Sequence, residues 1–325
     1  MDHSSVLIDE KIYFSGGITD QSTNEFFYLD VSKPFNTSDN NTSMPWFDLT
    51  DINSPKTLKG SACSGGENNG LLFVFGGYIY GSDNISSHQY DISKKVWTDI
   101  KSGPINRYGI SCAKFNDSLI AIFGGAAING SDNLFNDLWT FDISTSLWNL
   151  KNAQNPPSPR VGYCAVTLPD QSILYIGGQT SDLFAPMDTL PLYNTKSDTW
   201  INMAVSGPAP PGRRDFSAVL TNDNRIIIYG GMMDELYVSG DAWTLYIENS
   251  QWSWTKGNIT NSSEDSIIYS YGHTATLVNN YMFINFGNRL PIENNSPIIM
   301  LLDVSQKDNF RWVTEFIPNI MNTTV

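Results

Sequence analysis

The chain is poor in cysteine, histidine and basic residues, and each shortage excludes some classes of function. Its 325 residues include 3 cysteines, 3 histidines and 19 lysines and arginines, against 33 aspartates and glutamates. The resulting net charge of −14 argues against nucleic acid or an anionic membrane surface as a partner. An odd number of cysteines cannot be fully paired, and we expect Cys63, Cys112 and Cys164 to behave as small buried apolar side chains.

Long apolar runs and catalytic motifs are also missing. No run approaches the roughly 18 residues of a membrane span, so no direct membrane insertion is expected of this chain. The first residues, "MDHSSVLIDEK", lack the basic and apolar regions of a signal peptide. The Gly-x-Ser-x-Gly turn, the phosphate-binding loop and the Cys-x-x-Cys pair are absent too. The sequence therefore predicts no catalytic residue, no metal site and no cofactor.

What recurs is an apolar strand that ends in two glycines, about every 50 residues. Five copies end at Gly17, Gly77, Gly125, Gly178 and Gly231. A sixth, "MFINFGN", keeps Gly287, and we expect Asn288 to replace its second glycine because asparagine tolerates left-handed backbone. Each copy is followed by a Tyr-Asp-like pair, as in "YDIS", and then by a tryptophan, as at Trp97 and Trp148.

Each repeat contains four short strands, which we name A to D in chain order. Strand A carries sequences such as "RYGISCA", B ends in the glycines, C carries the Tyr-Asp-like pair and D carries the tryptophan. Strand B is apolar on both faces, as in a sheet that is covered on both sides, and the tryptophan is large enough to fill the gap between neighbouring repeats. The pattern predicts an all-β fold, a six-bladed β-propeller of four-stranded antiparallel blades in one domain, 1–325. The expected blades are about 2–50, 58–100, 107–151, 160–203, 213–256 and 270–316.

The double glycine, the Tyr-Asp-like pair and the tryptophan together resemble the kelch repeat over nearly the whole chain. The resemblance implies a kelch-type propeller with strand A innermost and strand D outermost. The segment "DHSSV" aligns with "GHTAT" (272–276), so we expect the N-terminal segment to form strand A of blade 1. The arginine that opens strand A elsewhere would precede Met1, so we expect the sequence to begin inside a repeat, with a natural leader lost.

Propeller enzymes are the main alternative to a binding module. Galactose oxidase holds copper with two histidines and two tyrosines, whereas this chain has only His3, His88 and His273. His3 and His273 share one slot of strand A in adjacent blades, where histidine is common in kelch motifs. The metal-binding run of kelch-type specifier proteins is absent, and so are the Asp-box repeats of sialidases beyond a weak "SDTW". We favour a non-enzymatic binding module and keep a galactose-oxidase-like enzyme with an altered metal site as the alternative.

In kelch propellers the D-to-A and B-to-C loops share one face, so the resemblance implies a ligand site there. Arginine and tyrosine often dominate binding energy, guanidinium groups suit an acidic peptide or glycan, and tyrosine suits a sugar ring. The alternative is that the arginines belong to the repeat framework and pair with nearby aspartates or carbonyls. The candidate ligand-binding residues are Arg107, Tyr108, Arg160, Arg213, Arg214 and Tyr271 from D–A loops, and Tyr78, Tyr80, Met232, Met233 and Arg289 from B–C loops.

Asn-x-Ser/Thr sequences lie in or next to the predicted turns, which is typical of a secreted glycoprotein. We therefore expect an extracellular or cell-surface monomer that binds a protein or glycan, similar to secreted or membrane-tethered fungal kelch proteins. A cytoplasmic kelch adaptor is the alternative, although no BTB-like or F-box-like segment is visible. The candidate glycosylation sites are Asn36, Asn40, Asn41, Asn84, Asn116, Asn129, Asn258, Asn261, Asn294 and Asn322.

Overall fold

The computed structural model describes residues 1–19, 23–38, 44–51, 53–78, 87–127, 133–234, 236–248, 251–260, 268–290 and 299–319. Within these ranges the fold is all-β apart from one short 3₁₀ turn, Glu67–Asn69. Six antiparallel sheets lie around a central channel, each with its strands in the order A, B, C, D. The prediction of a six-bladed propeller is therefore confirmed. No helix of this part of the chain is long and apolar enough to cross a membrane.

Strand A is the innermost strand of every blade, and strand D is the outermost of the four repeat strands. In blade 1 the strands A to D are Ser4–Ile8, Lys11–Ser15, Phe26–Asp30 and Trp46–Asp48. In blade 2 they are Ser61–Gly65, Leu71–Phe75, Ser87–Asp91 and Val96–Ile100. In blade 3 they are Ala113–Phe115, Leu119–Phe123, Leu138–Asp142 and Leu147–Lys151. In blade 4 they are Cys164–Thr167, Ile173–Ile176, Thr189–Asn194 and Thr199–Ala204. In blade 5 they are Ser217–Leu220, Arg225–Tyr229, Ala242–Glu248 and Gln251–Lys256. In blade 6 they are Thr274–Val278, Tyr281–Asn285, Ile299–Asp303 and Asn309–Val313.

Short strands outside this scheme tie the loops to the blades. Asn258–Thr260 adds a fifth, parallel strand to the outer edge of blade 6. Glu315–Phe316 pairs with Phe35–Asn36 and so joins the end of blade 6 to blade 1. The remaining pairs are Arg107–Tyr108 with Ala126–Ala127, and Tyr269–Tyr271 with Asn288–Leu290.

Six backbone hydrogen bonds close the propeller at the entry to the strands A. One residue of each blade donates its N–H to the carbonyl of its counterpart in the preceding blade, at 2.8–3.0 Å. All six have a positive φ of 54–68°. The bond from Asp2 to Gly272 completes the circle, so the N-terminal segment forms strand A of blade 1, as predicted. The members of this ring are Asp2, Lys59, Gly109, Gly162, Asp215 and Gly272.

The paired glycines are required because two backbones approach each other closely where strand B ends. A Cβ atom on Gly76 would lie 2.5 Å from the carbonyl oxygen of Arg107, which belongs to the next blade. The N–H of Gly77 donates to that same carbonyl at 2.8 Å, so the glycine pair connects neighbouring blades. Both glycines have positive φ, which most other residues adopt only at a cost in energy.

Blade 6 departs from the expectation that Asn288 replaces the second glycine. Its A–B hairpin is shorter, so Phe286 takes the first-glycine position with a φ of 52° and Gly287 takes the second, with a φ of 88°. The Phe286 ring packs against blade 1, 5.1 Å from the ring of His3 and 5.3 Å from that of Phe14. The prediction for Asn288 was wrong because the hairpin length cannot be read from the motif.

The strand-D tryptophans pack between blades, as the repeat pattern predicts. The ring of Trp148 in blade 3 lies 5.3 Å from that of Phe75 in blade 2. Trp200 in blade 4 lies 5.0 Å from Phe123 in blade 3. Each apolar cluster therefore spans two neighbouring sheets, and the core of the protein lies between the blades.

The cysteines differ from the expectation that all three behave simply as small buried apolar side chains. Cys63 and Cys112 form a disulfide that links the innermost parts of blades 2 and 3. Cys164 of blade 4 is free and half-buried, and its Sγ donates to the carbonyl of Phe216 at 3.3 Å. The disulfide could not be predicted from the sequence, because its two cysteines are 49 residues apart and come together only when neighbouring blades pack against each other.

Candidate functional site

The D–A and B–C loops meet on one face of the propeller, which we call the loop face. The hydrogen-bonded ring lies at the channel mouth on this face, because its members immediately precede the strands A. Most of the predicted ligand-binding residues are in these loops. The structure separates them into a buried layer and a partly exposed layer.

Arg107 and Arg213 belong to the buried layer, with only 2% and 0% of their surface exposed. The Arg107 guanidinium donates to both carboxylate oxygens of Asp137, at 2.5 and 3.0 Å, and stacks on a phenylalanine ring. Arg213 donates to Asp241 at 2.7 Å and to the carbonyl of Gly230 at 3.0 Å. These contacts favour the framework alternative for both arginines over a role as exposed ligand-binding residues, because each is paired with an aspartate of its own blade.

The aspartates of these pairs are held in their charged form. Burial alone would raise the pKa of Asp137, but the Arg107 guanidinium outweighs it and holds that pKa below its usual value. The pKa of Asp241 is lowered by Arg213 against the same effect of burial. Indole N–H groups complete both sites, since Trp139 donates to Asp137 at 2.7 Å and Trp243 to Asp241 at 2.8 Å.

Arg160 occupies the same slot in blade 4 but has a different environment. It is 5% exposed and donates to the carbonyls of Ser158, at 3.3 Å, and Gly177, at 3.2 Å. No carboxylate pairs with it among the described residues. Burial therefore lowers the pKa of Arg160 to about 10. Its burial also argues against a role of Arg160 as an exposed ligand-binding residue.

The partly exposed layer lies at the channel mouth and includes residues that the sequence analysis missed. The ammonium of Lys59 in blade 2 reaches across the mouth toward Asp215 in blade 5, the opposite blade, with an Nζ–Oδ2 distance of 3.8 Å. Arg214 donates to the same oxygen at 2.7 Å. The carboxylate of Asp2 packs closely against the neighbouring ring member Gly272. A Cβ atom on Gly272 would lie 3.0 Å from one of its oxygens.

The charges at the mouth alter one another. Burial raises the pKa of Asp2, and nearby Lys59 only partly offsets it. Burial alone would lower the pKa of Lys59, but the carboxylates of Asp215 and Asp2 outweigh it and raise that pKa. Half of the six ring positions carry a charged side chain where the others carry glycine, although positive φ favours glycine. Aligning the repeats with one another would have shown this column of three charges.

Beneath the mouth is a polar cavity of about 230 Å³ in the central channel. His3 and His273 line it, each 8% exposed or less, and their Nε2 atoms are hydrogen-bonded to Thr274 and Ser217 at 2.8 and 2.9 Å. Burial lowers the pKa of both histidines, that of His273 to about 3, so both are neutral at pH 7. Hydroxyls also connect the blades, as when Ser111 accepts from the N–H of Ala165. No group of three or more metal-ligating side chains is found in the described ranges.

The other predicted ligand-binding residues are divided between the mouth and the surrounding loops. The rings of Tyr78 and Tyr108 are 5.2 Å apart and both residues are half-buried. Tyr80 lies outside the described residues. A role in binding remains a prediction for all of them. The remaining four, Tyr271, Met232, Met233 and Arg289, are also half-buried.

Large apolar side chains project from the loops around the mouth, and the sequence analysis missed them. Leu236 and Tyr237 of the blade 5 B–C loop are 85% and 64% exposed, and Leu183 of the blade 4 B–C loop is 73% exposed. Ile105, in the D–A loop before blade 3, is 71% exposed. Nothing in the repeat pattern distinguishes these side chains, because loop residues outside the motif vary freely from blade to blade.

Three candidate glycosylation sites are described, and their asparagines, Asn36, Asn116 and Asn258, are exposed. Their use as acceptors stays a prediction. The other seven lie outside the described residues, namely Asn40, Asn41, Asn84, Asn129, Asn261, Asn294 and Asn322.

Six four-stranded blades, paired glycines at the end of strand B and buried arginines behind them define a kelch-type propeller. The chain belongs to the KLHDC2/KLHL20/DRC7 kelch-repeats domain family, whose model matches residues 2–231 and 185–313. The solved structure of YjhT has the same fold, with a TM-score of 0.72 and 16% identity over 96% of this chain and 97% of that one.

The curated relatives are longer than the parts of them that this chain matches. Adagio protein 3 of Arabidopsis thaliana is 26% identical over 64% of this chain and 34% of that protein. An F-box/kelch-repeat protein of the same plant is 25% identical over 84% of this chain and 58% of that protein. The flagellar outer-arm dynein alpha chain of Chlamydomonas reinhardtii is 29% identical over 50% of this chain and 4% of that protein. The chain thus spans about a third to somewhat over half of the two Arabidopsis relatives.

Proposed function

We propose that the chain is a non-enzymatic protein-interaction module that holds its partner on the loop face. The observation that carries this proposal is the set of exposed apolar side chains on that face, with Leu236 at 85% and Leu183 at 73% exposure. Exposed apolar side chains on one face of a protein can mark a site of protein–protein interaction. Membership of a kelch-repeat family and similarity to an F-box/kelch-repeat protein support a protein as the ligand.

The chemistry of the channel favours binding over catalysis. His3 and His273 are buried, neutral and hydrogen-bonded to hydroxyls of their neighbours, so they act as part of the blade-to-blade contacts. A general acid or base works best with a pKa near the working pH, whereas the pKa of His273 is lowered to about 3. The ion pair of Lys59 and Asp215 joins opposite blades across the mouth of the cavity.

We propose an intracellular location, in place of the extracellular one that the sequence led us to expect. None of these three relatives is named as a secreted or cell-surface protein. The Cys63–Cys112 pair makes the two locations distinguishable, because disulfides persist in oxidising compartments and are reduced in the cytosol. Thiol counting on protein alkylated in its own cells should find three free cysteines inside the cell. One free cysteine would indicate the secretory pathway.

Affinity capture with matched variants tests the partner site. Leu236→Asp combined with Tyr237→Asp places two charges on the loop face, whereas Leu147→Asp changes a side chain that is 59% exposed at a C–D turn on the other side. All three residues are exposed, so folding should be unaffected. Proteins captured by the wild type and by Leu147→Asp should be lost with the double variant. Equal capture by all three forms would refute the loop face as the site.

A further inference from the structure

The B–C loops of blades 4 and 5 share a backbone arrangement and carry exposed apolar side chains at the same position. In blade 4, the N–H of Thr180 donates to the carbonyl of Leu183 at 2.8 Å. In blade 5, the N–H of Met233 donates to the carbonyl of Tyr237 at 2.9 Å, and both donors lie two residues after their glycine pair. Leu183 and Tyr237 are therefore equivalent residues of adjacent blades, and Leu236 beside Tyr237 is exposed as well.

Both loops are fixed to the D–A loops beside them. Antiparallel bridges join Val161 to Gln179 in blade 4 and Arg214 to Met232 in blade 5. Each B–C loop then folds back on itself through a second bridge. Apolar side chains on loops that are already ordered cost less conformational entropy when a partner covers them. The two loops therefore form a prepared apolar surface on the loop face.

The charges beside these apolar side chains are negative. Asp182 directly precedes Leu183. The carboxylate of Asp234 accepts from the N–H groups of Leu236 and Tyr237, at 2.7 and 2.8 Å. Both aspartates are exposed, and neither forms an ion pair within the described ranges.

The arginines of the same two blades do not offer an exposed cation in their place. Arg160 and Arg213 are buried, and Arg213 is paired with Asp241. Arg214 donates to Asp215 at 2.7 Å. An apolar surface edged by exposed carboxylates favours a basic partner over an acidic one, because complementary charges promote association and like charges oppose it.

We infer that blades 4 and 5 hold a segment of the partner in which apolar side chains are flanked by lysines or arginines. The apolar side chains of that segment cover Leu183, Leu236 and Tyr237, and its cations lie beside Asp182 and Asp234. The inference rests on the proposed function and adds the chemistry of the partner, which is apolar and basic.

Three fluorescently labelled peptides of equal length are the probes, and fluorescence anisotropy measures their binding. The first combines leucine with lysine, the second leucine with glutamate, and the third serine with lysine. The leucine–lysine peptide should bind the wild type most tightly of the three. Added sodium chloride should weaken its binding, because exposed charges are screened by salt.

Matched pairs of substitutions locate the contact. Asp182→Asn combined with Asp234→Asn removes two charges and keeps an acceptor oxygen for the turn at Asp234. It should weaken binding of the leucine–lysine peptide between about 2-fold and about 30-fold, as expected for two exposed ion pairs. Asp9→Asn combined with Asp117→Asn makes the same change in net charge at exposed A–B turns of the opposite face, and should leave binding unchanged.

The inference is overturned if the leucine–lysine peptide does not bind, or if either of the other peptides binds as tightly. Equal effects of the two pairs of substitutions would overturn it as well, since the attraction would then belong to the whole acidic protein. The proposed function is tested separately. Loss of the captured proteins with the Leu236→Asp and Tyr237→Asp variant would still place the partner on the loop face, whatever its charge.

Discussion

The loop face carries its cationic side chains in two layers with opposite surroundings. Arg107 and Arg213, 2% and 0% exposed, are buried against aspartates of their own blades. The side chains of Lys59 and Arg214 lie at the channel mouth and are 23% and 25% exposed. A buried charge depends on its partner, whereas an exposed one is screened by water and salt. The lower layer therefore stabilises the propeller, and the upper layer remains accessible to a partner.

Removing a buried arginine should have the largest effect on stability. Arg213→Ala leaves the carboxylate of Asp241 without its cation, and breaking a buried pair typically costs about 3–5 kcal/mol. Chemical denaturation of this variant should show that loss in the free energy of unfolding. Arg311→Ala is the matched control, because its side chain is 62% exposed in a surface pair and should cost less than about 1 kcal/mol. Similar losses in the two variants would remove the distinction between the layers.

The histidines beneath the mouth should make stability depend on pH. Burial lowers the pKa of His3 and His273 in the folded protein, so below about pH 6.5 the unfolded chain binds protons that the folded chain does not. The contribution of each histidine is complete above pH 6.5 and is lost as the pH falls toward its folded-state pKa, which is about 3 for His273. The expected slope is at most about 1.4 kcal/mol per pH unit for each histidine. Unfolding free energies between pH 7 and 5 should show a shallower slope in His273→Gln, and an unchanged slope would contradict this.

Arg160 is buried like Arg107 and Arg213 but has no carboxylate partner among the described residues, so its removal should have a smaller effect. Replacing a buried charge by an apolar side chain of similar size is often neutral or stabilising when no partner charge is left behind. Arg160→Met should therefore change the free energy of unfolding by no more than about 1 kcal/mol in chloride buffer, much less than Arg213→Ala. A loss as large as that of Arg213→Ala would mean that the carbonyl bonds of Arg160 are sufficient to hold its blade.

Lys59 should give the smallest effect on stability. Its ammonium is 3.8 Å from the nearest Asp215 oxygen and its side chain is partly exposed, and such pairs typically contribute less than about 1 kcal/mol. Lys59→Met should therefore leave the unfolding midpoint nearly unchanged while reducing partner capture, and added salt should reduce capture by the wild type as well. Unchanged capture would mean that the charged residues at the mouth do not contribute to partner binding.

Much of the fold could be predicted from the sequence because the repeat fixes it. The glycine pairs recur where neighbouring blades touch, and tryptophans such as Trp148 fill the space between them, so six copies predict six blades. The site was harder to predict. Arg213 and Arg214 are adjacent in the chain, yet one is fully buried and the other is partly exposed. The burial of Arg213 depends on Asp241, 28 residues away, and no local pattern reveals that contact.

The central claim is that the partner binds the loop face, and footprinting the complex tests it most directly. The protein is exposed to hydroxyl radicals with and without its captured partner, and oxidation is measured by mass spectrometry. Leu183, Leu236 and Tyr237 should be protected in the complex, while Val96 and Leu147, which are 51% and 59% exposed at C–D turns, should react as before. Protection of Val96 and Leu147 with continued oxidation of Leu236 and Tyr237 would contradict the account.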